Sequence, residues 1–491
     1  PGIPVAAPVD KLAPGVFVVA GDNNFQNVTF SVAADAKLQF NDGNALRNAA
    51  GVSLSAGGVL EIRLQGTSNN TIGQLNGEGQ VRLLWGDVTL ETGGSSSSEF
   101  FGEITDRDHV FAGKFNGVGG LRKVGGGTLT LSGASDYGGA TTVTAGLLAV
   151  GSDRALSKRS AFTVFPGATL NIAGRAIEVG SLSGAGSVQL GAGGAVTSGA
   201  DGTSTSFTGT IGGAGRFTKA GGGQLLLTAA NPFTGTLAIT GGLLRLAGEI
   251  GSATEAGTLI SIGGGGTLSL DSRTVSGGNH ATNSRLSDAA PVELRGGTLL
   301  LSGADNAATT EAVGALHAVS GDSTVRIAAG GNGRAALPFA SFGSRSTGAT
   351  VDFSGTSPGT SNQVLVAGQP AGFLGPWATV NRNDFATYDP TQGIVPFAAA
   401  DYNTNPAVQH QHLRVSSFVT AAADAHQTLT LDALGGAVVV LQAIGTGLTV
   451  TTGGVLKIGG NPALIVPASG LLPVPYLTTP APDLIFHVQD G

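Results

Sequence analysis

The densest group of chemically capable side chains in this sequence is Asp106-Arg107-Asp108-His109. Two carboxylates and an imidazole within four residues are the materials of acid–base work, and a glycosidase needs two carboxyl groups flanking one bond. On an extended strand, alternation sets Asp106 and Asp108 on one side and Arg107 and His109 on the other. A solvated loop with surface ion pairs uses the same residue types, and that reading is adopted because no groove of paired acids accompanies the cluster. His410 and His412 lie two apart, so a strand would point both imidazoles one way, as a metal site requires. No neighbouring acid or third histidine completes such a site, and an exposed polar strand is expected. The glycine runs at Gly125-Gly126-Gly127 and Gly263-Gly264-Gly265-Gly266 lack the aspartates of a calcium-binding nonapeptide. None is followed by the Lys-Ser/Thr of a phosphate loop. No catalytic, cofactor-binding or metal-binding residue is therefore assigned, no cofactor is expected, and the chain is not read as an enzyme.

Two further pairs matter because they recur. Residues 115–150 and 211–246 align without a gap at an offset of 96, with 14 of 36 positions identical. Lys123 and Lys219 occupy one equivalent position, just before the glycine triplets, and are expected to sit at a solvated corner. Tyr137 and Phe233 occupy another. They suit either a sugar-stacking ladder or aromatic packing at a corner of the core, and the packing role is favoured. A looser module of the form Gly-x-Leu-x-apolar recurs at Gly58-Val59-Leu60-Glu61-Ile62, Gly167–Ile172, Gly265–Leu270 and Gly297–Leu301. A related phrase at 72–83 returns at 179–190.

Composition says what kind of scaffold holds these residues. Glycine contributes 82 of 491 residues and charged residues only 12%, against roughly 7% and roughly 25% in an average protein. Apolar residues reach 41%, too many for a disordered, charge-rich chain. There is no Gly-X-Y register for collagen and no apolar run long enough for a transmembrane helix. A net charge of −7 with 25 basic residues leaves no electrostatic footprint for nucleic acid or anionic lipid. Cysteine and methionine are both absent, so disulfides and thiolate metal sites are excluded, and oxidising surroundings would do the chain little harm. The missing initiator implies processing, with any export signal upstream of Pro1.

The local pattern is strand. Thr128–Leu131, Thr141–Thr144 and Leu147–Val150 are four-residue runs rich in Thr, Leu and Val, separated by glycine turns. Strands this short suit a coil whose successive turns stack about 4.8 Å apart, with apolar columns inside and Gly and Thr at corners and outward positions. At about 22 residues per turn, the chain predicts on the order of 20 rungs, a rod roughly 100 Å long. Residues 1–335 are read as this β-helix, carrying repeats at 115–151 and 211–247. The stretch 336–411, rich in aromatic residues and proline, is read as an irregular insertion packed on the rod. Residues 412–491 resume the β-helix and stop in mid-rung, leaving the next rung to a longer chain or another subunit.

The segment from Gly125 to Gly151, with its triple glycine, Leu-Thr-Leu, Tyr-Gly-Gly and Gly-Leu-Leu, resembles the autotransporter-associated β-strand repeat, also called the passenger-associated transport repeat. The second copy at Gly221–Ala247 resembles it as well. A phrase from Pro376 to Pro396 resembles one found in very large repeat proteins of planctomycetes and related bacteria. The resemblance implies an all-β, right-handed parallel β-helix, exported to the extracellular space or bacterial cell surface. No membrane β-barrel translocator is present in the sequence. The expected function is an extracellular structural rod that assembles end to end with copies of itself into a fibre. The alternative is an adhesin passenger binding a surface or matrix partner through 336–411. A carbohydrate-active β-helix enzyme is a third and weaker reading. The expected partners are the chain itself, the cell envelope and extracellular polysaccharide.

Overall fold

The computed structural model describes residues 9–11, 13–21, 25–41, 46, 48–63, 68–84, 87–107, 118–253, 258–273, 285–402, 404, 412–415, 419–421, 425–432, 439–443, 447–458, 463–467, 476–478 and 485–488. Contacts divide the chain into two units, 1–258 and 259–491. Each is a parallel β-solenoid. Among the described residues no α-helix occurs, and the one helical turn is the 3₁₀ segment Ala399–Asp401. Among the described residues no helix is long and apolar enough to cross a membrane.

In the first unit, β-alternation places apolar residues inward, and stacking sets each over its counterpart in the next rung. Leu129 pairs with Leu148, Leu148 with Leu170, Leu170 with Val188 and Val188 with Ile211, in steps of 19, 22, 18 and 23 residues. A second column runs Leu38, Leu60, Val81 and Ile104. All nine side chains are buried, each stabilising the coil by roughly 1.5–3 kcal/mol. The variable step length is absorbed in the turns, so the strands keep register while the loops differ.

Glycine is required where turns stack on turns. Gly146 and Gly242 occupy equivalent corners with φ of +66° and +63°. A Cβ at Gly146 would press into the carbonyl oxygens of Gly125 and Gly127, and one at Gly242 into those of Gly221 and Gly223. Positive φ and close backbone approach together leave no room for a side chain.

The second unit repeats the plan. Leu268, Leu299, Val325 and Phe353 form one inward column, and Ile260, Val292 and Leu316 another. The stretch 336–411 departs from expectation. The strand Arg334–Arg345 pairs in parallel with Val313–Ser320 and with Asn362–Val366, and Thr350–Ser354 pairs in parallel with Asp322–Gly330. These segments are rungs, with Phe339 and Phe353 filling core positions that Leu or Val fills elsewhere. Among the described residues, antiparallel strand pairing is confined to Gly372–Phe373, Ala378–Val380, Asp384–Asp389 and Gly393–Pro396. Larger side chains in an inward column change the composition without changing the pairing. Beyond 411, Leu413–Val415, Ala425–Asp432 and Gly447–Ile458 pair in parallel, as do Val419–Ala421, Val439–Ala443 and Ala463–Pro467.

Candidate functional site

The most constructed polar feature is a buried lysine that occurs twice. Lys123 stands in an inward column between Thr92 and Val143, and Lys219 stands between Ser198 and Ile239. Their exposures are 0% and 1%, so the solvated corner expected for them is overturned. Alternation is the reason: Leu121 and Phe217 point inward, and two residues later the lysine must do the same.

Each ammonium has three N–H donors and meets three carbonyls. Lys123 Nζ donates to Val124 O (2.6 Å), Gly125 O (2.8 Å) and Ala145 O (3.2 Å). Lys219 Nζ donates to Ala220 O (2.5 Å), Gly221 O (3.0 Å) and Gly241 O (3.3 Å). The acceptors are the lysine's own corner and the corner of the following rung. The preceding rung contributes a glycine with φ of +127° at Gly93 and +122° at Gly199, where a Cβ would come 3.2 Å from the ammonium. Burial lowers both lysine pKa values, and Asp201 opposes the fall at Lys219. Two successive rungs are thus pinned at one point, beside a close-packed glycine of the preceding rung, by a cation that the apolar column would otherwise exclude.

Tyr137 and Phe233 are each 0% exposed, which excludes a sugar-stacking ladder. Their rings plug the core beside a turn, and the turn carbonyls are held alike: Ser157 Oγ donates to Tyr137 O (2.6 Å) and Thr258 Oγ1 to Phe233 O (2.9 Å). The Tyr137 hydroxyl bonds Thr141 Oγ1 (2.7 Å), which bonds Ser160 Oγ (2.8 Å). Burial raises the phenol pKa.

Of the acidic cluster, Asp108 and His109 lie outside the described residues. Asp106 is buried and accepts hydrogen bonds from Gly138 N (2.6 Å) and Arg159 Nη1 (3.1 Å). Arg107 pairs with Asp136 (2.9 Å), which also meets Arg159 (3.4 Å). The network clamps three rungs beside a surface cavity of about 500 Å³. Asp106 works here as an acceptor tying loops together. His410 lies outside the described residues. His412 departs from the exposed strand expected for it: its ring packs edge-on to Phe373 and Phe397, with centroids 4.9 and 4.6 Å away, and burial lowers its pKa. Among the described residues no three His, Cys, Asp or Glu side chains cluster closely enough to hold a metal ion.

A glycine-cornered solenoid whose lysine-pinned rung is written twice defines a repeat-built parallel β-solenoid. Comparison with known proteins places that rung. The passenger-associated-transport-repeat family matches residues 121–150 and 217–246, the two segments that contain Lys123 and Lys219. The chain thus carries two copies of an autotransporter-associated repeat. Over 392 residues, 76% of its length, it is 30% identical to the adhesin BmaC autotransporter of Brucella suis biovar 1 (strain 1330), and it spans about 10% of that much longer protein. No solved structure matches it.

Proposed function

We propose that the chain is a section of a surface-displayed, adhesin-like passenger whose role is mechanical presentation and adhesion rather than catalysis. The observation that carries this reading is the twice-built, lysine-pinned transport repeat within a chain that resembles an autotransporter adhesin over three quarters of its length. Rungs held by backbone hydrogen bonds and buried apolar columns keep their shape with little dependence on salt, because exposed ion pairs contribute little. The test is immunolabelling of intact cells that express the gene, together with adhesion of beads coated with the purified chain to host-cell monolayers and matrix proteins. Labelling of unlysed cells and retention above albumin-coated beads support the reading. Labelling only after lysis, or retention equal to albumin, overturns it.

A second reading, end-to-end assembly, is favoured by the strand Gly15–Val19. It pairs with Ala36–Phe40 on one side only among the described residues, and it leaves Val16, Phe17 and Val18 exposed at 55%, 45% and 49%. An apolar edge strand is a template for a rung from a second copy. Sedimentation across a hundredfold concentration range tests it: growth into filaments supports assembly, and a constant monomer refutes it.

A further inference from the structure

Within the second unit, rungs 26 to 30 residues apart in sequence build an open groove of about 1080 Å³. Its base is the outward face of three stacked strands. Thr298 lies opposite Thr324 and Thr324 opposite Asp352, while Arg326 lies opposite Ser354. One wall is the hairpin turn at 381–383, where Asn381 and Arg382 both have positive φ, +52° and +56°.

That wall is fixed in place before any ligand arrives. Asn381 Oδ1 accepts Gly355 N (2.9 Å) and Asn381 Nδ2 donates to Gly355 O (3.1 Å), fastening the turn to the next loop. Asp352, buried beneath the turn, accepts Thr379 Oγ1 (2.9 Å) and Arg382 N (2.7 Å). The Arg382 guanidinium is engaged by Asp322 at 2.7 Å. Arg326 differs. It is exposed on the groove face and has no hydrogen bond or ion pair among the described residues. A pre-shaped polar groove with one uncommitted guanidinium pays little ordering cost on binding.

The chemistry selects the ligand. The volume far exceeds an inorganic anion. Apart from Ile327 the lining lacks the large apolar and aromatic side chains of a hydrophobic pocket. Thr298, Thr324, Ser354 and Asn383 both donate and accept hydrogen bonds, as ligand hydroxyl groups require. Arg326 supplies a planar fork matched to a carboxylate. We propose that this groove binds an acidic polysaccharide, a hydroxyl-rich chain bearing carboxylates, with Arg326 receiving the carboxylate and the threonine, serine and asparagine side chains receiving ring hydroxyls. The inference goes beyond the passenger reading and stands without it, since it concerns soluble binding by the purified chain.

The test is electrophoresis of the full chain through gels containing polygalacturonate, dextran or dextran sulfate. Polygalacturonate is expected to retard the wild type at low salt while dextran does not. R326A weakens that retardation about tenfold or more, the scale for losing a charge-assisted contact. R216A, which removes an exposed arginine of the first unit, leaves it unchanged. Because Arg326 is exposed and unpartnered, its removal leaves the fold intact, which the far-ultraviolet circular dichroism spectrum verifies. Equal retardation of R326A and wild type, absence of retardation by polygalacturonate, or retardation by dextran sulfate alone would overturn the assignment. Cell-surface labelling and bead adhesion are read separately, so failure here and failure of the passenger reading are told apart.

Discussion

The ammonium of Lys123 lies 3.2 Å from the carbonyl oxygen of Ala145, a residue of the next rung's corner. With its bonds to Val124 O and Gly125 O, this contact makes the lysine a bridge between stacked turns. Replacing it with methionine keeps the volume but leaves three carbonyls without their donor. Loss of hydrogen bonds to a charged group costs roughly 1.5–3 kcal/mol. Lys123→Met and Lys219→Met are each expected to destabilise the first unit by about that amount, and Lys→Arg is expected to fail as a substitute because the fork cannot enter the closed corner. Hydrogen exchange of backbone amides at 121–150 and 217–246 reads the effect locally. Unchanged protection in both methionine variants refutes the bridging role.

Gly146 supplies a second and independent test of the same corner. Alanine there must adopt φ near +66°, which costs roughly 1–2 kcal/mol for an L-residue, and its Cβ meets two carbonyl oxygens. Gly146→Ala and Gly242→Ala should therefore each lower stability by at least about 2 kcal/mol. Gly126→Ala, at a position with open space around the added Cβ, should be near neutral. Comparing denaturation midpoints of the three variants checks the ordering.

For Tyr137 the repeat itself states what is tolerated, since its counterpart is Phe233. Tyr137→Phe removes the hydroxyl from the Thr141–Ser160 chain and is expected to cost about 1 kcal/mol. Tyr137→Ala opens a cavity in a fully buried site and is expected to cost roughly 3–5 kcal/mol. Neither variant should change binding to any sugar polymer, because the ring is inside. A change in polysaccharide retardation on Tyr137→Phe would contradict that placement.

The offset-96 repeat, the four-residue strands and their parallel stacking were legible because each depends on local residue type and on glycine spacing. The inward lysines follow equally from alternation after Leu121 and Phe217, although an ammonium by itself argues for a place in solvent. The rungs between 334 and 366 were hidden by Phe339 and Phe353, which changed the composition of an inward column and left its hydrogen bonding intact. The groove at Arg326 could not be read from sequence at all. Thr298, Ser354 and Asn383 reach it from different rungs, and no motif records which turns of a coil with variable loop lengths lie side by side.

Glu311 offers a pH test inside the second unit. Its carboxylate is 0% exposed and accepts backbone hydrogens from Leu286 (2.7 Å) and Arg285 (3.2 Å). Burial pushes its pKa up to about 8, against the opposing pull of those two amides and the Arg285 charge. A carboxyl group whose pKa is higher folded than unfolded binds its proton more tightly in the folded state. Its contribution is fully present below the ordinary value of 4.5 and is lost as pH rises toward about 8. The slope is at most about 1.4 kcal/mol per pH unit for one proton. Glu311→Gln, which cannot ionise, should flatten that part of the stability profile. It should also be more stable than wild type near pH 8 relative to their difference at pH 4.5. Urea denaturation at half-unit steps from pH 4 to 9, with amide exchange at Leu286 as the local readout, measures both curves. Parallel profiles for the two proteins would mean that the carboxylate is paid for elsewhere and does not govern the unit's response to pH.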